Sequence, residues 1–206
     1  VIAWVLSFAL VMGTVLGVAG LFMKAHAADA GVLYIIDSIG GTPESVTEDC
    51  TDSAGGWSYD AGTATLTLDG FQGEYIEANG DINIVLKGKN KITISAESTE
   101  GIKSTGKVTI DDTISPVQDC LDIYCNDGTE SVSMIYTGGF GADYATYIVG
   151  GTVNLVEENT RRRYVTGISR WAYVENDASL NINLSADGGR NGAAALLNLN
   201  TSGDTS

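Results

Sequence analysis

The amino-acid sequence predicts an all-β fold built from repeats, and three observations lead to that prediction. Beyond residue 27, no long segment of the 206-residue chain shows the 3.6-residue apolar period of an amphipathic helix. Short runs in which apolar and polar residues alternate recur instead, each bounded by Gly, Asn or Asp. The runs are spaced 26 or 27 residues apart, from Ile82 to Val108 and from Val153 to Leu180. A strand-only repeat of this length favours a parallel β-helix, a solenoid, with a β-sandwich as the alternative.

Residues 1–27 have the composition of a cleavable secretory signal peptide. Residues 1–23 contain no charged residue, Lys24 follows, and Ala25-His26-Ala27 provides small residues at positions −3 and −1. We therefore expect cleavage after Ala27 and a single secreted or cell-surface β-helix domain over residues 28–206. The alternative is a retained transmembrane helix, because 23 apolar residues are long enough to cross a bilayer. The chain begins with Val and ends in a polar tail, so we also expect further sequence at both ends.

The charge balance and the residue types exclude several classes of function. Acidic residues outnumber basic ones by 26 to 11, which gives a net charge of −15. A field of this sign repels phosphate backbones and anionic lipid, so we expect neither nucleic acid nor a membrane surface as a partner. Cleavage would remove His26, the single histidine, and with it any Ser–His or Cys–His nucleophile and any His-ligated metal. Cys120 and Cys125 lie on one predicted strand, too far apart for a disulfide, whereas Cys50 could pair with either.

The predicted strands follow the alternation along the mature chain. In residues 63–68, Leu66 and Leu68 alternate with threonines, and in residues 180–184 three apolar residues alternate with Asn181 and Asn183. We therefore expect one face of each strand to be buried and the other to face solvent. Asp69-Gly70 and Asn79-Gly80 are typical hairpin dipeptides, and they keep the β-sandwich open. The other predicted strands are residues 82–86, 92–94, 108–110, 121–124, 132–136, 147–149, 153–156, 165–168 and 195–199.

An ordered set of short segments resembles a known family. The segments are residues 56–60 (GWSYD), 63–68 (TATLTL), 80–92 (GDINIVLKGKNKI), 101–102 (GI) and 106–110 (GKVTI). In this order they resemble the right-handed β-helix domains of exported Firmicutes proteins, which are described as carbohydrate-binding or pectate-lyase-like. The resemblance covers residues 56–110 and continues more weakly to residue 184. It implies a right-handed parallel β-helix and a carbohydrate ligand. At residues 111–116 an acidic stretch replaces the Gly-rich corner of the family, so we expect irregular central coils.

The acidic residues that follow this departure form the candidate metal site. Asp111, Asp112, Asp119 and Asp122, with Asp127, fall within 17 residues around two predicted strands. Oxygen ligands in turns are what Ca²⁺ requires, and a secreted acidic protein meets millimolar Ca²⁺. Ca²⁺ is therefore the one cofactor that the sequence suggests. The alternative is that these residues are solvated acidic turns.

The basic cluster at residues 161–163 is the candidate for a lyase. Pectate-lyase-like enzymes use an arginine as a base beside carboxylate-bound Ca²⁺, so the resemblance implies that role for Arg161, Arg162 or Arg163. The ordinary interpretation is a loop in which these arginines pair with Glu157 and Glu158, and we favour it.

Two pairs of aromatic residues are candidates for binding a sugar. Residues two apart on a strand share a face, so Trp57 with Tyr59, and Trp171 with Tyr173, would each form a small platform on which a pyranose could stack. We expect Trp57 and Tyr59 to cap the core and take Trp171 and Tyr173 as the carbohydrate-binding residues. The predicted function is a non-catalytic module that binds polysaccharide. The alternatives are a Ca²⁺-dependent polysaccharide lyase and a structural or adhesive stalk.

Overall fold

The protein is all-β in the computed structural model, as the alternation predicts. The structure describes residues 32–95, 98–112, 119–126, 131–139, 141–157, 164–175 and 178–184, and the backbone of residues 192–201. Nowhere in these ranges is there an α-helix or any helix long and apolar enough to cross a membrane; the single helical element is the 3₁₀ turn Ala142–Tyr144. The strands are β1 (Leu33–Ile36), β2 (Glu44–Val46), β3 (Cys50–Asp52), β4 (Trp57–Asp60), β5 (Thr65–Asp69), β6 (Gln72–Gly73), β7 (Tyr75–Ala78), β8 (Ile82–Lys87), β9 (Lys89–Ile94), β10 (Glu100–Ser104), β11 (Val108–Asp112), β12 (Cys120–Cys125), β13 (Val132–Thr137), β14 (Thr146–Ile148), β15 (Thr152–Glu157), β16 (Tyr164–Val174), β17 (Ser179–Leu184) and β18 (Gly192–Thr201).

Most strands belong to three parallel ladders. The first ladder has the order β5-β8-β11-β14 and continues into the second half of β16. The second ladder is β6-β9-β12-β15-β17, which is a separate five-stranded sheet. The third ladder is β7-β10-β13 and the first half of β16. Because β16 is eleven residues long and pairs with both β13 and β14, it joins the first and third ladders into one 13-stranded sheet.

Antiparallel strands complete the 13-stranded sheet at the N-terminal side. β1 pairs with β7 and β2, and the strands β3, β4 and β5 follow one another as neighbours. β2 and β3 are three residues long and mostly exposed, so no apolar alternation reveals them in the sequence. The prediction therefore missed these strands, and it also did not include β1, β6, β7 and β10. The eleven runs that it identified all coincide with strands of the structure.

The sequence repeat corresponds to neighbouring strands in register. Ile82 lies opposite Val108 in the first ladder, and Val153 lies opposite Leu180 in the second, as the 26- and 27-residue spacings suggest. The Asp69-Gly70 and Asn79-Gly80 dipeptides close no hairpin, because the strands on either side of each pair with other strands. Instead, both dipeptides turn the chain from one ladder to the next.

The core lies between the ladders and consists of apolar columns that run across the strands. Each column is a set of register partners with fully buried side chains: Leu66, Ile84, Ile110 and Ile148 in the first ladder; Ile92, Ile123 and Leu155 in the second; Ile76, Ile102, Ile135 and Ile168 in the third. Trp57 and Tyr59 are 3% and 5% exposed and join this core, as expected. Leu180, Ile182 and Leu184 face inward but are only half-buried, because β17 is the outermost strand of its sheet. They pack against the core, so the predicted inward face of this strand is confirmed, although the strand is less deeply buried than the others.

A buried asparagine explains the most specific part of the sequence motif. In the segment 86–92, the Asn90 side chain is 1% exposed and its Oδ1 accepts a hydrogen bond from the Phe71 N–H at 3.0 Å. Its Nδ2 donates to the carbonyl oxygens of Lys87 and Cys120, at 3.2 and 3.3 Å. One amide side chain thus forms hydrogen bonds with backbone groups from three successive turns.

Candidate functional site

Trp171 and Tyr173, the residues predicted to bind carbohydrate, lie at the end of β16. Both are half-buried, and the residue between them, Ala172, is fully buried. The strand alternation therefore turns both aromatic side chains to the outside of the first ladder, as predicted. Arg170, directly before Trp171, has a positive φ of 85°, and the register of β16 shifts at this point.

Tyr173 stacks on a second tyrosine that the sequence interpretation did not include. Tyr147 on β14 is its register partner, and the two ring centroids are 4.7 Å apart with an interplanar angle of 7°. The Lys107 Nζ lies 5.8 Å from the centroid of the Tyr147 ring. Burial, together with Tyr173 and Asp143, raises the pKa of Tyr147, so its hydroxyl stays protonated and donates to the Ala142 carbonyl at 3.3 Å. The 26-residue spacing between the two tyrosines, one repeat length, is the signal that could have identified the pair.

The tyrosine pair continues a row of polar side chains on the outer face of the first ladder. Register partners on successive strands are Thr65, Asn83, Thr109, Tyr147 and Tyr173, and we call this row the outer column. All five side chains are half-buried, and their neighbours along each strand are buried except Val174, which is half-buried. The column therefore offers hydroxyl, amide and aromatic groups in a line that crosses the strands at about 4.8 Å per strand.

The four aspartates predicted to bind Ca²⁺ do not share one environment. Asp111 and Asp112 end β11, and the Asp112 N–H donates to the Asp111 Oδ1 at 2.8 Å. Asp119 is 2% exposed and its Oδ1 accepts from the Gly88 N–H at 2.7 Å, which fixes the turn between β8 and β9. Asp122 lies on the outer face of the second ladder, where its Oδ1 accepts from the Asn154 Nδ2 at 2.6 Å.

These positions leave the metal prediction open. Across the described residues, no three side chains of His, Cys, Asp or Glu are grouped in a way that could hold a metal ion. Asp127 and residues 113–118 lie outside the described ranges. The Ca²⁺ site of Asp111, Asp112, Asp119 and Asp122 therefore stays a prediction.

The cysteines provide no disulfide. Cys50, Cys120 and Cys125 form no disulfide with one another, and Cys120 and Cys125 occupy the two ends of β12, as expected from their spacing. Burial, followed by the charge of Asp122, raises the pKa of the Cys120 thiol. That thiol therefore stays protonated at neutral pH and is a poor nucleophile.

Other predicted residues lie outside the described ranges. They include the signal peptide with its cleavage site at Ala27, and the arginines of residues 161–163. Glu157, one of the two expected partners of those arginines, is described: it is 4% exposed and lies opposite Cys125, on the inner side of β15.

Comparisons with known proteins provide no relative for this chain. No protein-family model, curated protein or solved structure matches it. The function is therefore inferred from the chemistry of the outer column and of the residues around it.

Proposed function

We propose that this chain is a secreted or cell-surface, non-catalytic module with a right-handed parallel β-helix fold, and that it binds polysaccharide through its outer column. The fold proposal is supported by the three parallel ladders. Register partners in these ladders are one sequence repeat apart at four of the strand pairs, β7-β10, β8-β11, β14-β16 and β15-β17. Stacked strands of this kind present long rows of equivalent side chains on the outside, which suits an extended polymer.

The observation that carries the functional proposal is the stacked pair Tyr147 and Tyr173 within a row of Thr and Asn side chains. Sugars offer both C–H groups, which pack on aromatic rings, and hydroxyl groups, which pair with hydroxyl and amide side chains. One ring face of Tyr173 packs on Tyr147. On its other side, Tyr173 has Asn200 of β18 as its register partner. A sugar would therefore contact the outward edges of the two tyrosine rings, and Trp171 lies two residues away on the same strand.

The charge of the molecule restricts the class of polysaccharide. Removal of residues 1–27 takes away one lysine, so a net charge of −15 becomes −16. A polyuronate would be repelled by this charge unless Ca²⁺ bridged the two, so the expected ligand is a neutral glycan. We expect Kd values in the micromolar to millimolar range, about −8 to −4 kcal/mol, because the surface is shallow.

Retention on insoluble cellulose and on a Ca²⁺–pectate gel tests the proposal. The double variant Tyr147→Ala, Tyr173→Ala should be retained at least about tenfold more weakly than the unaltered protein, equivalent to ~1.4 kcal/mol. Tyr124→Ala is the matched control, because Tyr124 lies on the outer face of the second ladder with the Lys91 Nζ 4.5 Å from its ring centroid. Its retention should not change.

Three results would contradict the proposal. Failure of the unaltered protein to bind any glycan would favour the structural or adhesive stalk. Release of unsaturated uronate from pectate would favour the lyase instead. Equal losses in the Tyr124 variant and in the double variant would show that the outer column is not the binding site.

A further inference from the structure

A polar trough lies at the N-terminal end of the same sheet, on the outer side of β3, β4 and β5. It has a volume of about 460 Å³, and its floor carries hydroxyl groups from register partners on these three strands. Thr51, Ser58 and Thr67 form one row across the floor, and Thr65 and Thr63 lie beside it. The residues that alternate with them, such as Trp57 and Leu66, are buried in the core, so the floor is held by a packed sheet.

Hydrogen bonds hold the polar groups at one end of the trough in place. The Asp49 Oδ1 accepts from the Ala61 N–H at 2.9 Å, and the Asp60 Oδ1 accepts from the Thr63 N–H at 3.2 Å. The Thr63 hydroxyl donates to the Thr65 Oγ1 at 2.9 Å. An ionised carboxylate has about four acceptor positions, so each aspartate retains acceptor capacity for the hydroxyl groups of a ligand. Groups that are already oriented lose little side-chain entropy when a ligand binds.

The trough and the tyrosine pair lie on one continuous face. Thr65 lines the trough and is also the first residue of the outer column. From β5 to the second half of β16 there are four strand spacings, which place the trough about 19 Å from Tyr173. Asn83 and Thr109 lie between the two, with amide and hydroxyl groups that can pair with the same ligand.

We propose that the trough and the tyrosine pair are two subsites for a single uncharged glycan chain that lies across the strands of the first ladder. This inference rests on the proposed function and adds the position, length and charge of the ligand. In the trough, sugar hydroxyls donate to Asp49 and Asp60 and exchange hydrogen bonds with the Thr and Ser hydroxyls. The two carboxylates repel uronate groups, and the tyrosine rings pack on the sugar at the other end.

Oligosaccharide length provides the test, because only a long chain reaches both subsites. Binding of neutral cello-oligosaccharides of increasing length is measured by calorimetry with the full chain. Affinity should rise by at least about tenfold once the oligosaccharide spans both subsites, since the second contact is then intramolecular. The double variant Ser58→Ala, Thr67→Val removes two floor hydroxyls and should abolish this rise, while short oligosaccharides still bind at the tyrosines.

A matched pair elsewhere in the chain controls for the loss of hydroxyl groups. Ser133 and Thr166 are likewise a Ser–Thr register pair on neighbouring strands, but they belong to the third ladder. The variant Ser133→Ala, Thr166→Val should keep the full length dependence. Thermal unfolding followed by circular dichroism verifies that both double variants are folded.

The outcomes separate this inference from the proposed function. Absence of glycan binding by the unaltered protein contradicts both. If the Tyr147→Ala, Tyr173→Ala variant loses binding but the trough variant matches the unaltered protein at every length, the proposed function stands and the two-subsite inference is wrong. Tighter binding of oligogalacturonides than of neutral oligosaccharides, in the presence of a chelator, would contradict the assignment of an uncharged ligand.

Discussion

Replacement of Asn90 by alanine should destabilise the protein far more than its small change in volume suggests. The substitution removes the acceptor of the buried Phe71 N–H, and an unsatisfied buried donor costs about 1–3 kcal/mol. It also removes the two bonds from Nδ2 to the carbonyls of Lys87 and Cys120, each with a net contribution of about 0.5–1.5 kcal/mol. Water cannot replace the side chain easily, because the site is 1% exposed. We therefore expect a loss of about 3 kcal/mol in the free energy of unfolding.

The assay is urea unfolding followed by tryptophan emission and by circular dichroism, with thermal unfolding as a second measurement. In a chain of this size, ~3 kcal/mol corresponds to a decrease in Tm of about 6–12 °C. Asn154→Ala is the matched control. Asn154 also makes two side-chain hydrogen bonds, to Asp122 at 2.6 Å and from Asn181 at 2.8 Å, but it lies on the outer face of the second ladder, where water can replace them. Its substitution should cost less than about 1 kcal/mol.

Equal losses of stability in the Asn90→Ala and Asn154→Ala variants would contradict this prediction. That result would mean that the buried amide of Asn90 contributes no more than an exposed one, and the turns between ladders would not depend on it. A free energy of unfolding that is the same in the Asn90→Ala variant and in the unaltered protein would lead to the same conclusion.

Three further predictions concern acid stability, backbone conformation and metal binding. Burial raises the pKa of Glu74, but hydrogen bonds from Ser95, the Gly40 N–H and Ser98 outweigh burial and hold the pKa below 4.5. The ionised Glu74 carboxylate therefore stabilises the folded state above pH 4.5, and this stabilisation is lost as the pH falls through the lower pKa of the folded state. The Tm of the Glu74→Gln variant should therefore fall less between pH 5 and pH 3 than the Tm of the unaltered protein. Gly56→Ala should lower the Tm more than Gly40→Ala: both glycines have positive φ, but an added Cβ would meet the Asp69 carbonyl at 2.8 Å only at Gly56. Equal effects would show that the carbonyl contact is irrelevant. Millimolar Ca²⁺ should raise the Tm if Asp111, Asp112, Asp119 and Asp122 bind it, because a ligand of the folded state stabilises that state. Equal Tm values in Ca²⁺ and in chelator would show that these residues bind no Ca²⁺.

The sequence alone predicted eleven strands from their own apolar alternation. Leu66 and Leu68 are buried because a strand places alternate residues on one face, and this requires no knowledge of the neighbouring strand. The repeat spacing likewise predicted that Ile82 and Val108 are equivalent, and they are register partners. β2 and β3 were missed because their strand conformation depends on hydrogen bonds to β1 and β4.

Contacts between distant segments were decided by the tertiary structure. Tyr147 and Tyr173 stack because parallel register places them side by side, and one residue of slip in either strand would turn one ring into the core. The trough needs three strands whose order in the sheet no local pattern specifies. Burial was also decided by position: Leu180 has the same alternation as Leu66, yet it is half-buried because its strand is the outermost of its sheet. The sequence determined which residues on a strand share a face, because that depends on backbone geometry alone. What each face contacts depends on the tertiary structure, because hydrogen bonding between strands sets their order and register.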